Sequence, residues 1–205
     1  MASKVTDGDL GVVRNPSDKS DRTGDRGRAQ YRALVVTVSD RVTAGVRDDA
    51  SGDHLAQRLV ALGFAVDRAI LPDEQAQISH LLTLAAETHA LILTTGGTGL
   101  TPRDVTPQAT KSVLEYEVPG IPELMRAEGA RSTPYAYLSR AVAGILNRCL
   151  IVNLPGSTRG ARESMAALEP ILTHALGTIA GPFDHDPARG SARATGVVPE
   201  ARPAR

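Results

Sequence analysis

The stretch ALILTTGGTGLTPRDVTPQAT, residues 90–110, decides the fold class. Its first six residues are apolar or β-branched whichever way they face, as in a strand covered on both sides. The run then breaks into Gly96, Gly97 and Gly99, with Thr95 and Thr98 alongside them. Glycine loses more freedom on folding than any other residue, so this cluster needs a reason. One is a tight strand-to-helix turn. Another is a cradle in which backbone N–H groups and the threonine hydroxyls face an anion, a phosphate above all. The loop is neither Gly-x-x-x-x-Gly-Lys-Ser/Thr nor Gly-x-Gly-x-x-Gly.

Outward from this strand, YRALVVTVS (31–39), FAVDRAIL (64–71) and CLIVNL (149–154) also read as strands. DASGDHLAQRLVALG (49–63) reads as a helix with Leu55, Leu59 and Leu62 on one face and Gly63 as its stop. DEQAQISHLLTLAAE (73–87) reads as a second helix, with acidic residues in the first turn, where the dipole favours them. TPQATKSVLEYE (106–117), IPELMRAEGAR (121–131) and RGARESMAALEPILTHALGTIAG (159–181) complete the helices, the last with Pro170 as a candidate kink. An antiparallel hairpin is expected at Leu146–Arg148. Alternation of apolar strands with helices implies an α/β fold, a three-layer α/β/α arrangement with a mostly parallel sheet.

The 205 residues allow one sizeable core or at most two small ones. Aromatics are 3% with no Trp, so that core is aliphatic and a base-stacking surface for single-stranded nucleic acid is poorly supplied. Lys plus Arg equals Asp plus Glu at 23 each, which gives no general reason to expect nucleic acid or a membrane as partner. Cys149 is the only cysteine, so neither an intrachain disulfide nor a cysteine zinc cluster can form. The five histidines show no metal-ligand spacing. Residues 1–29 and 184–205 are polar and aperiodic and are expected to be disordered tails around a single domain, 30–183. No secretory h-region opens the chain, and a cytoplasmic location is expected.

In such folds ligands bind beyond the carboxyl ends of the strands. Four polar clusters stand there: Ser39-Asp40-Arg41, Pro72-Asp73-Glu74, the glycine loop, and Asn153-Leu154-Pro155-Gly156-Ser157. They should converge on one edge of the sheet. Asp73 and Asp104 have carboxylates suited to Mg²⁺, which is held through one or two carboxylates plus substrate phosphates. Either could instead cap the helix that follows it. Ser39, Asp40, Arg41 and Arg103 offer groups for an anion or for surface ion pairs. Ser157 stands where it can cap the last helix, whose N-terminus is also a candidate anion site.

VSDR, PDE, TTGGTG, PRDVTPQAT, LSR and NLPGS occur here in that order. In these motifs the chain resembles the Mog/MoaB family of molybdenum cofactor biosynthesis proteins and the G domain of gephyrin, over roughly residues 32–181. The resemblance implies a MogA-like molybdopterin-binding domain, a homotrimer, and molybdopterin adenylyltransferase activity. AMP would pass from ATP, with Mg²⁺, to the terminal phosphate of molybdopterin. Carried over by motif, the functional and metal-holding aspartates are Asp73 and Asp104. Thr95, Gly96, Gly97, Thr98, Gly99 and Arg103 fall to the nucleotide phosphates. Ser39, Asp40, Arg41, Ser139, Asn153, Pro155, Gly156 and Ser157 fall to molybdopterin. A molybdate-insertion protein is the implied further partner. The alternative is a catalytically silent molybdopterin carrier or scaffold.

Overall fold

The computed structural model describes residues 31–181; the two expected tails lie outside the described residues. In chain order the elements are β1 (Arg32–Val38), α1 (Asp40–Thr43), α2 (Ala50–Ala61), β2 (Ala65–Leu71), α3 (Gln75–Ala85), β3 (Leu91–Thr95), α4 (Thr106–Lys111), β4 (Tyr116–Glu117), α5 (Gly120–Ala130), a 3₁₀ turn (Pro134–Leu138), β5 (Ala143–Leu146), β6 (Cys149–Leu154) and α6 (Thr158–Ala180). The sheet order is β2-β1-β3-β6-β5-β4. β1, β2, β3 and β6 run parallel, and β5 and β4 extend the sheet by antiparallel pairing.

The period of two along each strand splits the core in two. Ala33, Val35, Leu91, Leu93, Leu150 and Val152 face α2, α5 and α6 on one side. Leu34, Val36, Val38, Ile92 and Ile151 face α3 and α4 on the other. This is the expected three-layer fold. Each fully buried leucine contributes about 2 kcal/mol, and the two clusters hold the strands from both sides. Cys149 lies within the second cluster, and burial pushes its thiol up to about 12.

The expected hairpin is present. Asn147 (φ 48°) and Arg148 (φ 64°) form its two-residue loop, the left-handed pair that a right-twisted hairpin requires. α6 continues through Pro170. Three expectations are corrected. The helix from Thr106 ends at Lys111, and Tyr116–Glu117 form β4 instead. The Glu115 amide donates to the Ile145 carbonyl (2.9 Å), so the open edge of β5 captures a segment with helical periodicity. Leu62 is 38% exposed, because α2 ends before it and Gly63 (φ 89°) turns Phe64 inward in its place. Asp73 and Glu74 precede α3 and do not lie in its first turn. Among the described residues no helix is long and apolar enough to cross a membrane.

Candidate active site

β1 has β2 on one side and β3 on the other, so the connections that leave its two neighbours diverge. A crevice opens beyond the carboxyl ends of β1 and β3, as it does at such switch points generally. Ser39 caps α1, its Oγ accepting from the Val42 amide. The Asp40 amide donates to Asp73 Oδ2 (2.9 Å), and the Asp73 amide donates to Asp40 Oδ1 (3.0 Å). This reciprocal pair locks the end of β1 to the end of β2.

The glycines have a direct steric explanation. A Cβ on Gly96 (φ 105°) would lie 2.1 Å from the Val38 carbonyl oxygen. On Gly97 (φ 61°) it would meet Thr106 Oγ1 at 2.3 Å and Asp73 Oδ1 at 3.1 Å. On Gly99 it would come within 3.0 Å of Asp104 Oδ2. The loop therefore threads between a neighbouring strand end and two carboxylates. Asp104 accepts from the Thr101 amide (2.8 Å) and hydroxyl (2.6 Å), so it caps its own turn and not α4. Arg140 clamps the loop from outside through the carbonyls of Gly99 (2.6 Å) and Asp104.

Two cavities meet at this loop. The smaller, about 300 Å³, is lined by Ser39, Asp73, Thr95, Gly96, Gly97 and Asp104, together with Gly156 and Ser157. The larger, about 500 Å³, has Thr98, Gly99, Ser139 and Pro155 on one wall and Leu100, Met125, Tyr135 and Leu138 among its apolar lining. Gly97, Asp104, Gly156 and Ser157 belong to both, so they form the shared wall. All four strand-end clusters contribute, and the expected convergence is met.

Four proposed contacts are placed elsewhere. Asn153 is fully buried: its Nδ2 donates to the Thr94 (3.0 Å) and Thr110 (2.8 Å) hydroxyls, and its Oδ1 accepts from the Val142 amide. It ties β6 to β3 and α4 beneath the site and lines neither cavity. Asn153→Ala strands these partners and should lower stability by about 3 kcal/mol in urea denaturation. Arg103 turns its guanidinium to Asp40 (2.7 Å) and Glu74 (3.4 Å), away from both cavities. Asp40 is thereby occupied by Arg103 and by its exchange with Asp73. Arg41 is exposed and lines neither cavity.

Residues not singled out in the sequence complete the walls. Asp49 caps α2 through the Gly52 amide (2.9 Å), accepts from the Thr37 hydroxyl (2.7 Å) and pairs with Arg68. Ser51 donates to the Gly156 carbonyl (3.1 Å), which brings the N-terminus of α2 beside that of α6. An Asp-x-Ser-Gly run opening a helix after a strand was the available signal. Arg47 and Asp48 line the smaller cavity, and Arg126, Arg159 and Glu163 the larger.

The two central carboxylates are tuned in opposite directions. Burial pushes Asp73 up, aided by the negative charges of Asp40 and Asp104, against the Asp40 amide and Arg103. Burial also pushes Asp104 upward, but the Thr101 hydroxyl and amide, the Gly99 amide and Arg140 outweigh it and hold it below the usual range. Thr106 Oγ1, beside Gly97, is buried without a partner. Asp73 and Asp104 both line the smaller cavity and offer it two hard carboxylate donors, whereas Thr106 lines neither cavity. Among the described residues no three Asp, Glu, His or Cys cluster as ligands. A pair of carboxylates is the donor count that suits a cation completing its shell with phosphate oxygens.

Residues 34–174 match the family model described as "Probable molybdopterin binding domain". The chain belongs to this family. This molybdopterin-binding domain is 39% identical over 157 residues to gephyrin of Dictyostelium discoideum, covering 71% of the chain and only 22% of that protein. It is 38% identical over 156 residues to a protein of Helicobacter pylori named molybdopterin adenylyltransferase, covering 73% of the chain and 88% of the relative. Its structure resembles that of the molybdopterin biosynthesis enzyme MoaB of Thermus thermophilus, with TM-score 0.67 and 50% identity over 75% of this chain and 98% of that one.

Proposed function

We propose that this molybdopterin-binding domain acts in molybdenum cofactor biosynthesis as an adenylyltransferase that moves AMP from ATP to the terminal phosphate of molybdopterin. The observation that carries the reading is the shared wall: two cavities meet at Gly97, Asp104, Gly156 and Ser157, so two ligands can face one another across it. An oxygen of the molybdopterin phosphate forms a bond to the α-phosphorus of ATP. The bond from that phosphorus to the bridging oxygen breaks, and pyrophosphate leaves. A phosphate monoester is already mostly dianionic at neutral pH, its second pKa being about 6, so no general base is required. The chain's task is to align two polyanions and offset their repulsion. The glycine loop and the start of α6 orient phosphate, and Ser39 offers a hydroxyl. Asp73 and Asp104 would hold Mg²⁺, which supplies positive charge to the phosphates when bound.

Incubation of the protein with molybdopterin and Mg-ATP is expected to yield adenylylated molybdopterin and one pyrophosphate per turnover. Tight molybdopterin binding without pyrophosphate would establish the silent carrier instead. A homotrimer and a cytoplasmic location belong to the same proposal by kinship. Analytical ultracentrifugation measures the first.

A further inference from the structure

We propose that Arg47 is the side chain that grips the polyphosphate of the nucleotide; this deepens the adenylyl-transfer reading and rests on it. Arg47 lies between α1 and α2. Gly45 (φ 68°) reverses the chain there, and the amides of Val46 and Arg47 both donate to the Arg41 carbonyl, at 2.9 and 3.2 Å. The loop thus folds back on α1, and Arg47 lines the smaller cavity.

Charge makes that position matter. Four carboxylate side chains line the same cavity, those of Asp48, Asp49, Asp73 and Asp104, and Arg47 is the one Lys or Arg among its lining residues. Arg41 lies outside the cavity, and three other nearby guanidiniums are engaged. Arg103 pairs with Asp40 and Glu74, Arg68 with Asp49 and Asp53, and Arg140 with two loop carbonyls. Among the described residues the Arg47 guanidinium has neither a hydrogen bond nor an ion pair. A bare phosphate dianion is repelled by such a wall. A triphosphate arriving with its divalent cation is not, and a free guanidinium can then bind two of its oxygens at once. The carboxylates therefore select the metal-bound polyphosphate over the monoester as the group that Arg47 meets.

Isothermal titration calorimetry on the full chain tests this with two probes, Mg-ATP and tripolyphosphate with magnesium, and with molybdopterin as the competing source of phosphate. Arg47→Ala is expected to weaken both polyphosphate probes about tenfold. Arg47→Lys should recover part of the loss, and molybdopterin affinity should stay within about twofold. Arg131→Ala, an exposed charge paired with Glu128, controls for net charge and should change nothing. In turnover the KM for ATP should rise more than kcat falls. Unchanged polyphosphate affinity in Arg47→Ala overturns the proposal, and so does a loss that falls on molybdopterin instead. Absence of measurable polyphosphate binding by the unaltered protein overturns it too. Calorimetry needs no turnover, so a protein that binds Mg-ATP through Arg47 but releases no pyrophosphate refutes the transfer reading alone.

Discussion

Asp104→Asn is expected to lower AMP transfer by at least about a thousandfold while leaving molybdopterin binding measurable. Asparagine keeps an acceptor oxygen for the Thr101 amide and hydroxyl, so those two bonds persist, while the charge and one acceptor oxygen are lost. Stability separates the two aspartates further. Asp104 is held below its ordinary range, so its ionised form favours the fold; that contribution is present above the ordinary value of 3.8 and lost as pH falls through the folded value. Asp73 is raised, so between 3.8 and its folded value the native state binds more protons than the unfolded chain, and stability falls as pH rises. At neutral pH Asp104→Asn should therefore melt below the unaltered protein and Asp73→Asn above it. Both differences should vanish in acid, the Asp73 one first. Transfer at the normal rate in Asp104→Asn, read by pyrophosphate release, would sink its assignment.

Gly96→Ala should lower stability by at least about 4 kcal/mol, the largest effect expected of a single methyl group here. Two costs combine. The backbone at φ 105° excludes ordinary side chains, and the added carbon would lie 2.1 Å from the Val38 carbonyl oxygen, which is fixed in the sheet. Gly45→Ala isolates the first cost, since Gly45 also has positive φ (68°) but nothing within 4 Å of an added Cβ. It should lose only about 1 kcal/mol. Equal losses in urea denaturation would show that the close approach of β1 to the loop carries no energy.

The glycine loop shows both how much the sequence revealed and where it stopped. Apolar strands alternating with amphipathic helices set the layers. The rule that ligands gather at strand ends then brought Ser39, Asp73, Gly97 and Ser157 together correctly. The glycines were legible as a loop needing a reason, yet the reasons considered were a turn or an anion. What excludes their side chains is Val38, Thr106 and the two carboxylates, all brought there by folding. Long-range partners explain the other misses. Arg103 meets Asp40 across 63 positions and Asn153 meets Thr94 across 59, and local pattern carries no trace of either contact. β4 was missed because the edge of β5, more than 25 residues later, decides its conformation. The role inferred for Arg47 escaped for a different reason: it depends on which charges line the smaller cavity with it, and Asp73 and Asp104 reach that wall only through folding.

The exchange of hydrogen bonds between Asp40 and Asp73 fastens two parallel strands at the rim of the smaller cavity. That half of the crevice is stiff before anything enters it, so little entropy is lost there on binding.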